Sequence, residues 1–242
     1  MNNKLEHLYS FMNSNRHYNK ELQERFYLSV VKPYDSISDK IISLLYSVVN
    51  TQSQPRIDKI AAFFKSIHRN QDSLNSFGNF VDHVNKDKTP NYKNLFHGLR
   101  TEAGWGDKTS ALFAKTIFHL QNGEYSDELL VWDDAPIHIS EEDDFYLPVD
   151  AVIIAIFNRM DSSKNWNFES VNKKIKEKYN PNEIEIWDDL WFWGFITQSG
   201  SGDSRKHEWN LNKYWALKES DKDADMIKEI HLKSQIFLRI LD

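Results

Sequence analysis

Cysteine is absent from all 242 residues. That excludes a disulfide framework, a thiolate zinc site and a cysteine-held iron–sulfur cluster, and it fits a reducing cytoplasm. No apolar run reaches the ~18 residues of a membrane span. The opening Met1-Asn2-Asn3-Lys4-Leu5-Glu6 has no signal-peptide h-region. The expected address is the cytoplasm, with no membrane partner. Basic charge is in deficit: 30 Lys and Arg stand against 36 Asp and Glu, for a formal net charge of −6 and a pI near 5.9. The broad basic face of a general nucleic-acid binder is not expected. A local clamp on one nucleotide stays compatible, because the field depends on where the charges lie. The nine histidines show no paired metal spacing, no internal repeat is evident, and the Gly/Ser-rich stretch 198–204 lacks the lysine of a phosphate-binding P-loop. Neither a metal nor a cofactor is expected.

What is present is helix. Hydrophobic residues make up 40% of the chain, enough for one good-sized domain or two small ones. Leu5, Leu8, Met12, Leu22, Phe26 and Val30 recur at helical spacing until Pro33 breaks the run. Ile37 to Val48 and Ile57 to Ile67 form two more stripes, the first capped by Ser36 or Ser38. Phe77, Phe80, Val81 and Val84 mark a short helix. Phe168, Val171, Ile175 and Tyr179 predict another that Pro181 stops, and Met226, Ile230, Phe237 and Leu241 a last one. The fold class is all-α. Between 122 and 146 the pattern changes, and a small β-excursion or an ordered loop is expected there. Its acidic run, Glu141 to Asp144, reads as solvated surface.

Two stretches carry the chemistry. In 95–120, Gly104-Trp105-Gly106-Asp107-Lys108-Thr109 precedes Ala111, Ala114 and Phe118 at helical spacing. Two glycines one residue apart make a tight turn, and a buried helix follows. Backbone N–H groups at such a turn suit an anion such as phosphate. In 147–160, Leu147-Pro148-Val149-Asp150 opens a helix that is apolar nearly all round, hence buried. Asp150 is an N-cap, worth ~1 kcal/mol, or a carboxylate held at a helix N-terminus facing a cleft.

Glycine-hydrophobic-glycine-x-Lys-Thr followed by Pro-Val-Asp, with Arg159 nine residues on, resembles the helix-hairpin-helix DNA glycosylases, most closely the 8-oxoguanine branches. The resemblance implies a two-lobed helical fold around a central cleft. Residues 36–160 form the core, with the hairpin at 92–120, and 1–35 and 161–242 form the second lobe. It implies Lys108 as nucleophile and Asp150 as its assistant. Gly104, Gly106 and Thr109 hold the DNA backbone, and Arg159 sits where members carry arginine. Asn50 or Gln52, in the polar loop 50–55, would fill the hole left by an extruded base; a plain inter-helix turn is the competing reading. Trp187, Asp189, Trp191 and Trp193 would surround the flipped base, with core packing the alternative. The partner is double-stranded DNA with a damaged or modified base. The implied activity is excision of an oxidised purine, 8-oxoguanine, with an associated lyase step, by a monomer. A glycosylase for another modified base such as one in phage DNA, a non-catalytic hairpin module binding DNA or protein, and a chance likeness in a structural helical domain are the other readings.

Overall fold

The computed structural model describes residues 1–122, 124–217 and 223–242. The protein is all-α. Its helices are α1 (Asn2–Ser14), α2 (Arg16–Val31), α3 (Ile37–Val49), α4 (Ile57–Arg69), α5 (Phe77–Val84), α6 (Tyr92–Thr101), α7 (Asp107–Gln121), α8 (Ala151–Met160), α9 (Phe168–Lys176), α10 (Pro181–Ile184), α11 (Asp189–Ile196), α12 (Leu211–Leu217) and α13 (Ala224–Leu241). One two-stranded antiparallel pair, β1 (Gln198–Ser199) and β2 (Lys206–His207), closes the Gly/Ser-rich loop. Among the described residues no helix is long and apolar enough to cross a membrane.

Several boundaries follow from local chemistry. Ser36 caps α3, its Oγ accepting from the Asp39 amide at 3.1 Å. Pro181 opens a helix as well as ending one. Asn180 Oδ1 accepts from the amides of Asn182 and Glu183, and proline occupies the first turn, where its missing N–H costs nothing.

The chain divides into two compact units. The first comprises Met1–Leu22, Val149–Glu177 and Ile186–Asp242; the second comprises Gln23–Pro148 and Lys178–Glu185. The divisions expected at 35 and 160 therefore fall at 22 and 148, and α8 with Asp150 joins the terminal segments rather than the hairpin. The reason is packing. Gly194 on α11 lets α8 approach so closely that a Cβ there would lie 2.6 Å from Ile156 Cδ1 and 2.7 Å from Val152 Cγ1.

In the first unit α1 buries Leu5, Leu8, Phe11 and Met12. Phe11 meets Trp193 edge-on at 4.9 Å and Phe237 of α13 at 5.9 Å. Lys4 Nζ donates to the Leu241 carbonyl at 2.8 Å, placing a cation at the C-terminus of α13. In the second unit α7 is buried on nearly every side, from Thr109 to Gln121. Phe113 on α7 and Phe77, Phe80, Tyr92, Phe96, Trp132 and Phe145 in the same unit are almost wholly enclosed. The excursion Lys178–Glu185 is tied in by Asn182, which bonds both backbone groups of Ile139, and by Glu185, whose Oε1 lies 2.9 Å from His119 Nε2.

The insertion 122–146, of which Gly123 lies outside the described residues, contains a short 3-10 turn (Asp127–Leu129) and no strand among its described residues. Its acids are not all solvated surface, which corrects that expectation. Asp143 is buried and accepts from the amides of Tyr92 and Lys93 at 2.9 and 2.8 Å, satisfying the start of α6. Asp134 does the same for α5 through Phe77 and Gly78, both at 2.8 Å. Unpaired first-turn amides and a positive helix end attract a carboxylate, and neither α5 nor α6 has an acid of its own in its first turn. The insertion thus supports the α6–α7 hairpin.

Charge is distributed unevenly. The first unit contains equal numbers of basic and acidic side chains, so the whole formal charge of −6 falls on the hairpin unit.

Candidate functional site

The hairpin is built as α6, a turn at residues 102–106, and α7. Gly104 has φ +87°, and a Cβ there would sit 2.9 Å from both the backbone N and Cγ1 of Ile60. Both the conformation and the space demand glycine. Gly106 is different. It caps α7 at φ −147°, ψ 179°, extended backbone that any residue adopts, and a Cβ would meet nothing within 4 Å. Trp105 tucks under the turn against Phe63 and Phe113, with ring centroids at 5.3 and 6.0 Å.

Two residues expected at DNA instead brace the turn. Thr109 is buried; its Oγ1 accepts from the Gly106 amide at 3.0 Å and donates to the Gly106 carbonyl at 3.1 Å. Gln52 Nε2 donates to the Gly104 carbonyl at 3.0 Å, tying the 50–55 loop to the hairpin. Asn50 ends α3 and is exposed. Lys108 reaches the same loop, its Nζ 3.2 Å from both the carbonyl and the Oγ1 of Thr51. Asp107, the acid in the turn, pairs with Arg100 Nε at 2.5 Å.

Glu102 ends α6 at this turn, and burial raises its carboxyl above the ordinary value, with His83 opposing. A raised folded-state value means that the native state binds more protons. The destabilisation is absent below the unfolded value and complete above the folded one. Glu102→Gln should therefore raise the urea midpoint at pH 7.5 and leave it nearly unchanged at pH 4; equal shifts at both pH values would count against this.

Asp150 is the N-cap of α8. Its Oδ1 accepts from the amides of Val152 and Ile153 at 2.8 and 3.1 Å, and its Oδ2 accepts from the Trp191 indole at 3.0 Å. The capping reading is thus realised, and the indole of Trp191 holds the second carboxylate oxygen. Trp191 is half-buried and stacks on Phe195, with centroids 4.9 Å apart and planes at 16°. Lys213 Nζ stands 4.8 Å from the Phe195 centroid.

The remaining expected base-pocket residues are packed inward. Trp187 and Trp193 are fully buried, Trp193 among Phe11, Tyr18 and Phe237. Asp189 is buried and held by Asn19 Nδ2 at 2.6 Å, with Arg16 Nε at 3.7 Å. Of the four, Trp191 alone keeps partial exposure; Trp187, in the turn before α11, and Asp189 and Trp193, on α11, are buried in the core. Arg159 pairs with Asp242 Oδ1 at 2.9 Å through Nε and 2.5 Å through Nη2.

Sequence reading missed Phe195, Arg205 and Lys213. No motif marks them. The one available signal is Asn210, whose Oδ1 caps the short α12 by accepting from the Lys213 amide at 3.1 Å and so sets where that lysine emerges.

Compared with known proteins, the chain matches no family model, no curated protein and no solved structure.

Proposed function

We propose that this protein is a DNA glycosylase that excises a damaged or modified base from duplex DNA, 8-oxoguanine being the first candidate, with Asp150 as its essential carboxylate. The observation that supports this reading is the fixed state of Asp150. Three N–H donors hold its two oxygens at a helix N-terminus, beside a partly exposed aromatic stack. As the N-glycosidic bond breaks, positive charge develops on the sugar, and a carboxylate that needs no reorganisation stabilises it. The base must first leave the stack, and a half-exposed indole offers it a face. In the full reading the Lys108 amine attacks C1′ and forms a Schiff base, from which strand cleavage can follow. The chain would act in base excision repair, as a cytoplasmic monomer.

A second reading is supported by the place of Lys108, whose Nζ bonds Thr51. In that reading the lysine braces the hairpin, and the protein is either a single-function glycosylase run by Asp150 or a non-catalytic hairpin module. Duplexes each carrying one damaged or modified base separate the cases when borohydride is added during turnover. A covalent adduct that Lys108→Gln abolishes, while binding is kept, supports the full reading. Excision without an adduct leaves Asp150 alone in charge. Neither excision nor adduct on any duplex favours the binding module.

A further inference from the structure

Beside Asp150 lies a group of cations that neither motif uses. Arg205 leads into β2, and its Nη1 donates to Gln198 Oε1. Gln198 is fully buried, and its Nε2 donates to the Val152 carbonyl in the first turn of α8, at 3.0 Å. Asn210 Nδ2 reaches the Gln198 carbonyl at 3.4 Å, while its Oδ1 holds the amide of Lys213. One chain of hydrogen bonds therefore places the turn that carries Asp150, the guanidinium of Arg205 and the base of Lys213 together.

This arrangement is electrostatically costly. Arg205 and Lys213 are both half-buried, and among the described residues neither makes an ion pair with a carboxylate. Burial pushes the Lys213 amine below its ordinary value, and nearby Arg205 pushes it further, with Asp150 acting the other way. His207 follows in β2, its Nδ1 buried without a hydrogen-bond partner among the described residues. Like charges held together in partial burial are stabilised by an anion that bridges them. The neighbouring surface is an aromatic stack. A cationic pair next to an aromatic face fits a ligand that joins a phosphate to a planar base.

We propose that Arg205 and Lys213 form a phosphate subsite beside Asp150 and the Trp191–Phe195 stack, and that it holds a phosphate of the nucleotide whose base the protein handles. That the phosphate belongs to a nucleotide rests on the glycosylase reading; the anion site stands on the hydrogen-bond chain through Gln198 and Asn210 and on the place of Lys213 against Phe195.

Equilibrium dialysis of the full chain tests it, with inorganic phosphate, a 5′-deoxynucleoside monophosphate, the matching nucleoside and a short single-stranded oligonucleotide as probes. The monophosphate and the oligonucleotide should bind, and the nucleoside should bind about tenfold more weakly. The double variant Arg205→Gln, Lys213→Gln should lose about tenfold in affinity for both phosphate-bearing ligands. Its salt slope with the oligonucleotide should fall by about one to two. The charge-preserving Arg205→Lys, Lys213→Arg variant should recover most of the binding, and a melt followed by circular dichroism confirms that each variant folds. Unchanged affinity in the folded double variant, or equal binding of nucleoside and monophosphate, overturns the proposal. Binding of inorganic phosphate alone overturns its nucleotide identity. If the unmutated protein binds monophosphate through these two residues but excises no base, the subsite stands and the glycosylase reading falls. If it excises a base while the double variant binds normally, the subsite falls and the glycosylase reading stands.

Discussion

Asp150→Asn should lower base excision by about a hundred- to a thousand-fold while leaving DNA binding within about threefold, as expected when one fixed electrostatic group is removed from a developing charge. The substitution is informative because it separates the two roles of this side chain. Asparagine keeps an oxygen to accept from Val152 and Ile153, so the cap survives. Its amide nitrogen cannot accept from the Trp191 indole, so that one bond is lost. The stability cost should then be about 1 kcal/mol. Asp150→Ala removes cap and acceptor together and should cost about 1–3 kcal/mol. Single-turnover excision and a urea titration on the same preparations check both halves. Activity falling only in proportion to stability across the two variants would reduce Asp150 to a structural cap.

Gly104→Ala should be the more damaging of the two hairpin glycine substitutions, at about 2–4 kcal/mol. It combines a left-handed backbone, costing about 1–2 kcal/mol for a residue with a Cβ, with a contact that Ile60 can relieve only by moving its main chain. Gly106→Ala should cost at most about 1 kcal/mol, through alanine's poorer N-cap preference, because its backbone is extended and its surroundings open. The sequence alone points to strain at both glycines, and the backbone angles assign it to one. If the turn holds DNA, Gly104→Ala should weaken duplex binding more than Gly106→Ala does. Equal effects on folding and binding from both would contradict this account. Denaturant midpoints and titration with a labelled duplex supply the comparison.

Element type was legible wherever apolar spacing and a local cap agreed. Ile37, Ile41, Leu44 and Val48 behind Ser36 read as α3, and α3 is there; Phe77 to Val84, the hairpin helices, and Asp150 at the head of α8 came out the same way. Spacing and capping act over one or two turns, so a single segment carries them whole. The boundary residues were less legible. Pro181 stops one helix and starts another because Asn180, beside it, accepts the first amides.

The sequence by itself determined that the chain is all-α, that a glycine hairpin enters a buried helix at Lys108, and that Asp150 heads another. It could not say what the polar side chains hold, and that was decided by tertiary structure. Thr109 and Gln52 brace the turn, Asp143 and Asp134 cap helices about fifty residues away along the chain, and Trp187 and Trp193 lie inside while Trp191 reaches Asp150. The grouping of Arg205 and Lys213 with Asp150 was likewise invisible in the chain. The physical reason is range. Helical periodicity is a local property of the backbone, whereas a carboxylate or amide takes whatever donor the fold brings within about 3 Å, and that partner is set by packing between segments far apart in sequence.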